Sequence, residues 1–132
     1  MSILKSKVFD RFARKHGLTD ADICEAANDV MSGQADADLG GGLFKQRIAR
    51  DGGGKSRGFR TVILYKHEGH AFFVYGFAKN EKANISSKEL RAFKALATVY
   101  AELPAAKLKA AVAARELIEV ESYEDDEESR NS

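Results

Sequence analysis

Cysteine is almost missing from this chain: Cys24 is the only one in 132 residues. One cysteine makes no internal disulfide and no cysteine-based zinc site, so a disulfide scaffold and a zinc finger are both excluded. No run of about 18 apolar residues occurs, which removes an ordinary membrane-spanning helix. The opening Met1-Ser2-Ile3-Leu4-Lys5 has no leader-like apolar stretch, which predicts a cytoplasmic protein. No internal repeat is visible. The triple glycine at Gly52-Gly53-Gly54 lacks the spacing of a phosphate-binding loop and precedes a strand rather than a helix, so that reading fails too. Cys24 lies beside an apolar helical stripe and reads as a small buried side chain.

What the chain does have is charge in blocks. The formal net charge is only +1. Residues 1–42 nevertheless sum to −2, residues 43–94 to +8 and residues 95–132 to −5. A strongly cationic centre between acidic flanks points to a polyanion, and phosphate is the partner such a centre suits best.

Local patterns give the elements. Lys5 to His16 reads as a helix with Val8, Phe9, Phe12 and Ala13 near one face, stopped by Gly17. Thr19 and Asp22 form a capping box for a second helix to about Ser32. Leu43 to Arg50 alternates as a strand, with Leu43, Lys45, Arg47 and Ala49 on one side. Two further strands, Phe59 to His67 and His70 to Ala78, are joined at Glu68-Gly69 and are apolar enough for burial on both faces. Ser86 and Glu89 cap a strong helix ending near Leu103, and Ala105 to Ile118 has high helix propensity with a thin apolar stripe. From Glu119 onward the acidic end predicts a disordered tail. The expected fold class is α+β, a small antiparallel sheet with two N-terminal helices on one face and C-terminal helices, in the order α-α-β-β-β-α.

The cations sit at the ends of the apolar strands. Arg60 begins the second strand and Lys79 closes the third, so a hairpin between them makes the two near neighbours. Two adjacent cations repel unless an anion lies between them. Guanidinium offers a planar fork for phosphate oxygens, so Arg60 is the first candidate. Lys45 and Arg47 share a face of the first strand, and Lys55 and Arg57 lie in the glycine-rich segment, where they suit adaptive contact with an RNA backbone. Asn80 reads as a turn residue and Glu81 as a carboxylate that pins the turn or serves as a base. His67 and His70 flank the hairpin turn, far from Lys79, and no histidine joins the cationic cluster. Tyr65 and Tyr75 read as core or rim.

Three stretches carry a family resemblance: Gly41-Gly42-Leu43-Phe44-Lys45-Gln46-Arg47-Ile48, Lys55-Ser56-Arg57-Gly58-Phe59-Arg60-Thr61-Val62, and Val74-Tyr75-Gly76-Phe77-Ala78-Lys79-Asn80-Glu81. With Asn84-Ile85-Ser86 and the helix that follows, the region from Gly41 to Ala97 resembles the RelE-like toxins of toxin–antitoxin pairs, and within the RelE/ParE superfamily the HigB-type branch. On that resemblance residues 1–103 form the toxin domain, residues 104–118 a helical extension and residues 119–132 the acidic tail. It implies a toxin that enters the ribosomal A site and cuts mRNA, and a cognate antitoxin that silences it. That antitoxin is expected to carry a helix-turn-helix, so DNA is met only through it, and no membrane is involved.

Cleavage by such a fold without metal or cofactor uses the substrate's own 2′-hydroxyl, which attacks the adjacent phosphorus and leaves a 2′,3′-cyclic phosphate. In that scheme Arg60 stabilises charge on the phosphorane, and Lys79 and Arg47 assist at the scissile phosphate. Lys45, Lys55, Arg57, Asn80 and Glu81 bind RNA. Two other functions fit the same fold: a non-enzymatic gyrase inhibitor of the ParE type, and a plain RNA-binding module. The acidic tail is further expected to fold over the basic centre and screen it when RNA is absent.

Overall fold

Ser6 divides the N-terminal segment into two elements. Its backbone is extended and its hydroxyl accepts from the Phe9 amide at 3.1 Å, so it caps helix α1 (Lys7–His16) and ends strand β1 (Ser2–Ser6). The computed structural model describes residues 2–50, 54–65 and 70–120, with the backbone alone at 49, 50 and 54–57. Helix α2 (Asp20–Met31) starts in the expected Thr19–Asp22 capping box. Four more strands follow: β2 (Ala37–Gly40), β3 (Leu43–Arg50), β4 (Gly54–Tyr65) and β5 (His70–Ala78). Helix α3 (Ser87–Ala101) starts in the expected Ser86–Glu89 box, and α4 (Ala105–Ala113) and β6 (Leu117–Glu119) complete the chain.

The fold class is α+β, as the sequence predicts, but the sheet is neither small nor wholly antiparallel. Six strands run in the order β2-β3-β4-β5-β1-β6, and β1 lies parallel to β5 through Ser2–His70 to Lys5–Phe73. The helix expected from Lys5 therefore starts two residues later. Ile3 and Leu4 are buried as strand residues, one on each face, because β5 supplies a partner that no local window reveals. The helix expected through Ile118 also ends early. Arg115 takes a left-handed φ of 61°, and Leu117–Ser6 and Glu119–Leu4 pair as antiparallel strands. Val120 donates its amide to the Ile3 carbonyl at 2.8 Å, so the start of the expected acidic tail is the outer strand of the sheet. The short β2 was not expected; it pairs at the opposite edge with a bulge near Gly40. The rest of the tail, the Asp51–Gly53 turn and the turn at 66–69 with His67 lie outside the described residues.

The two N-terminal helices lie on one face, as expected, and the C-terminal helices cover the other. On the first face α1 and α2 bring Phe9, Ala13, Ile23, Ala27 and Val30 onto Ile48, Phe59, Ile63 and Phe73. Cys24 is buried there, as its sequence context suggests. On the second face α3 and α4 set Phe93, Leu96, Ala97, Leu108 and Val112 on Leu4, Leu43, Val62, Leu64, Phe72 and Val74. The near-continuous apolar strands β4 and β5 are thus buried on both sides. Among the described residues no helix is long and apolar enough to cross a membrane.

One irregularity shapes the second face. Val62 pairs with Tyr75 while Ile63 pairs with Phe73, so Val74 is an extra residue on β5. A bulge of this kind shifts the alternation by one. Val74, Tyr75 and Phe77 consequently belong to the second face, while Gly76 turns to the first. A Cβ on Gly76 would stand 2.5 Å from a Phe12 ring carbon and 3.1 Å from Phe9, so α1 sits directly on this backbone.

Candidate functional site

Strand register sets two rows of side chains on the second face at one end of the sheet, with Val62 of the first row and Phe77 of the second buried. Lys45, Val62 and Tyr75 are consecutive partners across β3, β4 and β5, and Arg47, Arg60 and Phe77 form the next row. The alternation read for β3 is correct: Lys45 and Arg47 share the face of Arg60, and Gln46 points to the other side and meets Asp29 of α2 at 3.2 Å.

Arg47 and Arg60 are therefore directly opposed, as close as paired strands permit. Asp36, just before β2, accepts from the Arg47 backbone amide at 2.7 Å and from its Nε at 3.0 Å. That carboxylate fixes Arg47 and offsets part of its charge. Arg60 is in a different position. Its Nη1 is buried without a hydrogen-bond partner among the described residues. Burial, then the neighbouring Arg47, hold its pKa below the ordinary arginine value, against the opposing pull of Asp36. A guanidinium that remains charged and has an unmatched buried N–H is costly unless an anion completes it.

Lys79 is near Arg60 but not opposite it. Phe77 is the partner of Arg60, and the Lys79 amide donates to Gly58 at 3.3 Å, two residues along β4. Its ammonium bonds the Ala83 carbonyl at 3.2 Å and so closes its own loop. Lys45 reaches Asn84 Oδ1 at 3.2 Å, and Asn84 also accepts from the Ile85 amide, which ties the loop to β3. Asn80 and Glu81 are exposed in the turn after β5, where the Glu81 and Lys82 amides both donate to the Ala78 carbonyl at 3.1 Å. The pinning of this turn is thus done by backbone amides. Glu81 itself lines a groove between α1 and the edge of β5. Lys55 and Arg57 lie within β4, with their side chains outside the described residues.

The residue that sequence reasoning passed over is Lys82. Its ammonium pairs with Glu89 Oε2, donates to the Tyr75 hydroxyl at 3.1 Å, and lies over the Tyr75 and Phe77 rings at 5.1 and 5.8 Å from their centroids. Burial pulls its pKa down, but the bonds to Glu89 and Tyr75 outweigh that and raise it. The hydrogen bond from Lys82, with the Ser86 amide, brings Glu89 down to about 2. Glu89 was legible as a capping residue; its second oxygen, turned toward Lys82, was not. The row across this end of the sheet is thus Asp36, Arg47, Arg60, Phe77, Lys82, Glu89. A carboxylate stands at each end, and an unmatched guanidinium stands in the middle.

The histidines are elsewhere. His16 packs on Phe12 and Phe59 with centroids at 4.6 and 4.9 Å, and His70 is at the far end of β5 beside Phe72. Among the described residues no group of three or more His, Cys, Asp or Glu side chains is arranged to hold a metal ion.

Such a surface, a cationic row on a rigid sheet flanked by aromatic rings, suits a phosphodiester backbone. None of the curated proteins matches the chain. A family does: the family described as the RelE toxin of the RelE/RelB toxin–antitoxin system matches residues 1–120, which takes in every strand and helix described above, α4 and β6 included. The chain belongs to the RelE toxin family, and is thereby the toxin of a toxin–antitoxin pair, a class whose members are generally mRNA-cleaving inhibitors of translation.

Proposed function

We propose that this protein is a ribosome-dependent endoribonuclease of the HigB-like branch, acting in the cytoplasm and held silent by a cognate helix-turn-helix antitoxin. It cuts mRNA by attack of the 2′-hydroxyl on the adjacent phosphorus. The carrying observation is the buried, unmatched Nη1 of Arg60 set opposite Arg47. A non-bridging phosphate oxygen satisfies that donor, and the second guanidinium reaches the same group. As negative charge grows on the phosphorane both bonds strengthen, which is differential stabilisation of the transition state. Asp36 keeps Arg47 oriented for this, while among the described residues nothing accepts a hydrogen bond from Nη1 of Arg60. Lys45, Lys55, Arg57 and Asn80 bind the flanking backbone. Lys79 acts by holding the loop that carries Lys82, and Glu81 faces the strand as it leaves along α1.

The test is Arg60→Ala in a reconstituted translation reaction. Cutting within codons of a translated message should fall by about 10²–10³-fold, with an unchanged melting curve. Products should end in a 2′,3′-cyclic phosphate, and a message with deoxyribose at the cut position should stay whole. Undiminished cutting by Arg60→Ala would remove Arg60 from the site. Intact message together with DNA damage on expression would replace the reading with gyrase inhibition.

A further inference from the structure

Cleavage of a phosphodiester by its own 2′-hydroxyl needs a proton for the departing 5′-oxygen, and the cationic row provides none readily. Arginine does not release a proton near neutral pH. The Lys79 ammonium is engaged by the Ala83 carbonyl, and Glu89 is ionised and has both oxygens occupied, by the Ser86 amide and by Lys82. His70 is at the far end of β5, and His16 borders the groove along α1 with its ring packed on Phe12 and Phe59, on the face of the sheet away from Arg60.

We propose that the Tyr75 hydroxyl is the general acid that protonates the leaving 5′-oxygen, and that Lys82, anchored by Glu89, is the residue that positions and polarises it. This rests on the endoribonuclease reading above. The bulge at Val74 turns Tyr75 onto the face of Arg60, one cross-strand row away. Its ring is held by Phe93 and Phe77, with centroids at 5.1 and 6.0 Å. The hydrogen bond with Lys82 has only one possible direction. An ammonium has no acceptor, so Nζ donates and the Tyr75 oxygen receives. The phenol proton is therefore not used in that bond and is available to a substrate.

The same contact sets a fixed ammonium 3.1 Å from the oxygen on which negative charge develops in the transition state. Lys82 is itself a poor donor: its two hydrogen-bonded partners favour its charged form, and it stays a cation throughout. Tyr75 is half-buried and is among the residues that border the groove of about 440 Å³ along α1. The charged or titratable groups around it are Lys82 and Glu81 from the loop, Glu89 from α3, and Arg11, Lys15 and His16 from α1 across the groove. Arg60 lies one row away on β4.

The step balances. The 2′-oxygen forms a bond to phosphorus as its proton passes to solvent. The bond from phosphorus to the 5′-oxygen breaks, and that oxygen takes the Tyr75 proton. The phenolate is then reprotonated from water.

The deciding experiment compares two translated messages, one ordinary and one with sulfur in place of the 5′-bridging oxygen at the cut position. A thiolate leaves without protonation. Tyr75→Phe should slow cutting of the ordinary message by about 10²–10⁴-fold and leave the sulfur message cut at nearly the wild-type rate. Arg60→Ala should slow both. Lys82→Met should behave like a weaker Tyr75→Phe, slowing the ordinary message and sparing the sulfur one. Equal loss on both messages, or no loss on the ordinary one, overturns the proposal while the endoribonuclease reading stands. A wild-type protein that cuts neither message sinks that reading and this proposal together.

Discussion

The two halves of β5 have similar apolar sequences and the same neighbour in β4, yet they do different work. His70–Phe73 has β1 on its other side and is closed in by both helical layers. Val74–Ala78 lies past the last pair with β1, so among the described strands it has β4 alone beside it. One face of this half is pressed under α1 at Gly76, and the other carries Tyr75 and Phe77 beside Arg60 and Lys82. Ending one neighbouring strand and inserting one bulged residue converts a core strand into the wall of a site. Hydrophobicity does not distinguish the halves; what covers each of them does.

Core truncation in the closed half should have the largest effect. Phe73 is fully buried, with its ring 5.0 Å from that of Phe9. Phe73→Ala should cost about 3–5 kcal/mol in urea unfolding. If it costs no more than changes in the other half, the contrast fails. Next comes Gly76→Ala, which drives a methyl into Phe12 and should cost about 1–3 kcal/mol with cutting impaired in parallel. An unchanged unfolding midpoint would mean α1 does not rest on β5 there.

A smaller effect separates the open half by pH. Glu89 is held at about 2 in the fold against an ordinary 4.5, so its pair with Lys82 stabilises the loop fully above the higher value. That contribution is lost as pH falls from about 4.5 toward 2, and Glu89→Gln should remove this part of the acid sensitivity. Amide exchange in residues 79–86, with and without added salt, reads it directly. The smallest stability change is expected for Asp36→Asn, an exposed pair at one end of the row. It should shift stability by no more than about 1 kcal/mol. Its greater effect should be on cutting, because Arg47 loses the partner that orients it.

Much of the fold could be read from neighbouring residues. The Thr19–Asp22 and Ser86–Glu89 boxes are contacts between residues three apart, and the strands Leu43–Arg50 and His70–Ala78 announce themselves by composition. The site was legible only in part. Arg60 was found because cations at the ends of apolar strands are conspicuous. The nearness expected of Lys79 is seen in its amide donating to Gly58, two residues along β4 from Arg60, while register sets Phe77 directly against Arg60. Lys82 escaped notice because its three partners lie seven residues away on either side, or on the strand preceding its loop, with no periodic signal to join them.

The order of charges and apolar runs, by itself, determined that a cationic centre would be mounted on buried strands between capped helices, since those features depend on contacts a few residues long. Only the tertiary structure decided that Ser2–Ser6 and Leu117–Glu119 are strands, that the helices lie on both faces, and that Tyr75 shares a face with Arg60. Each of these depends on a partner distant in sequence, or on a single bulged residue that reverses the facing of everything after it.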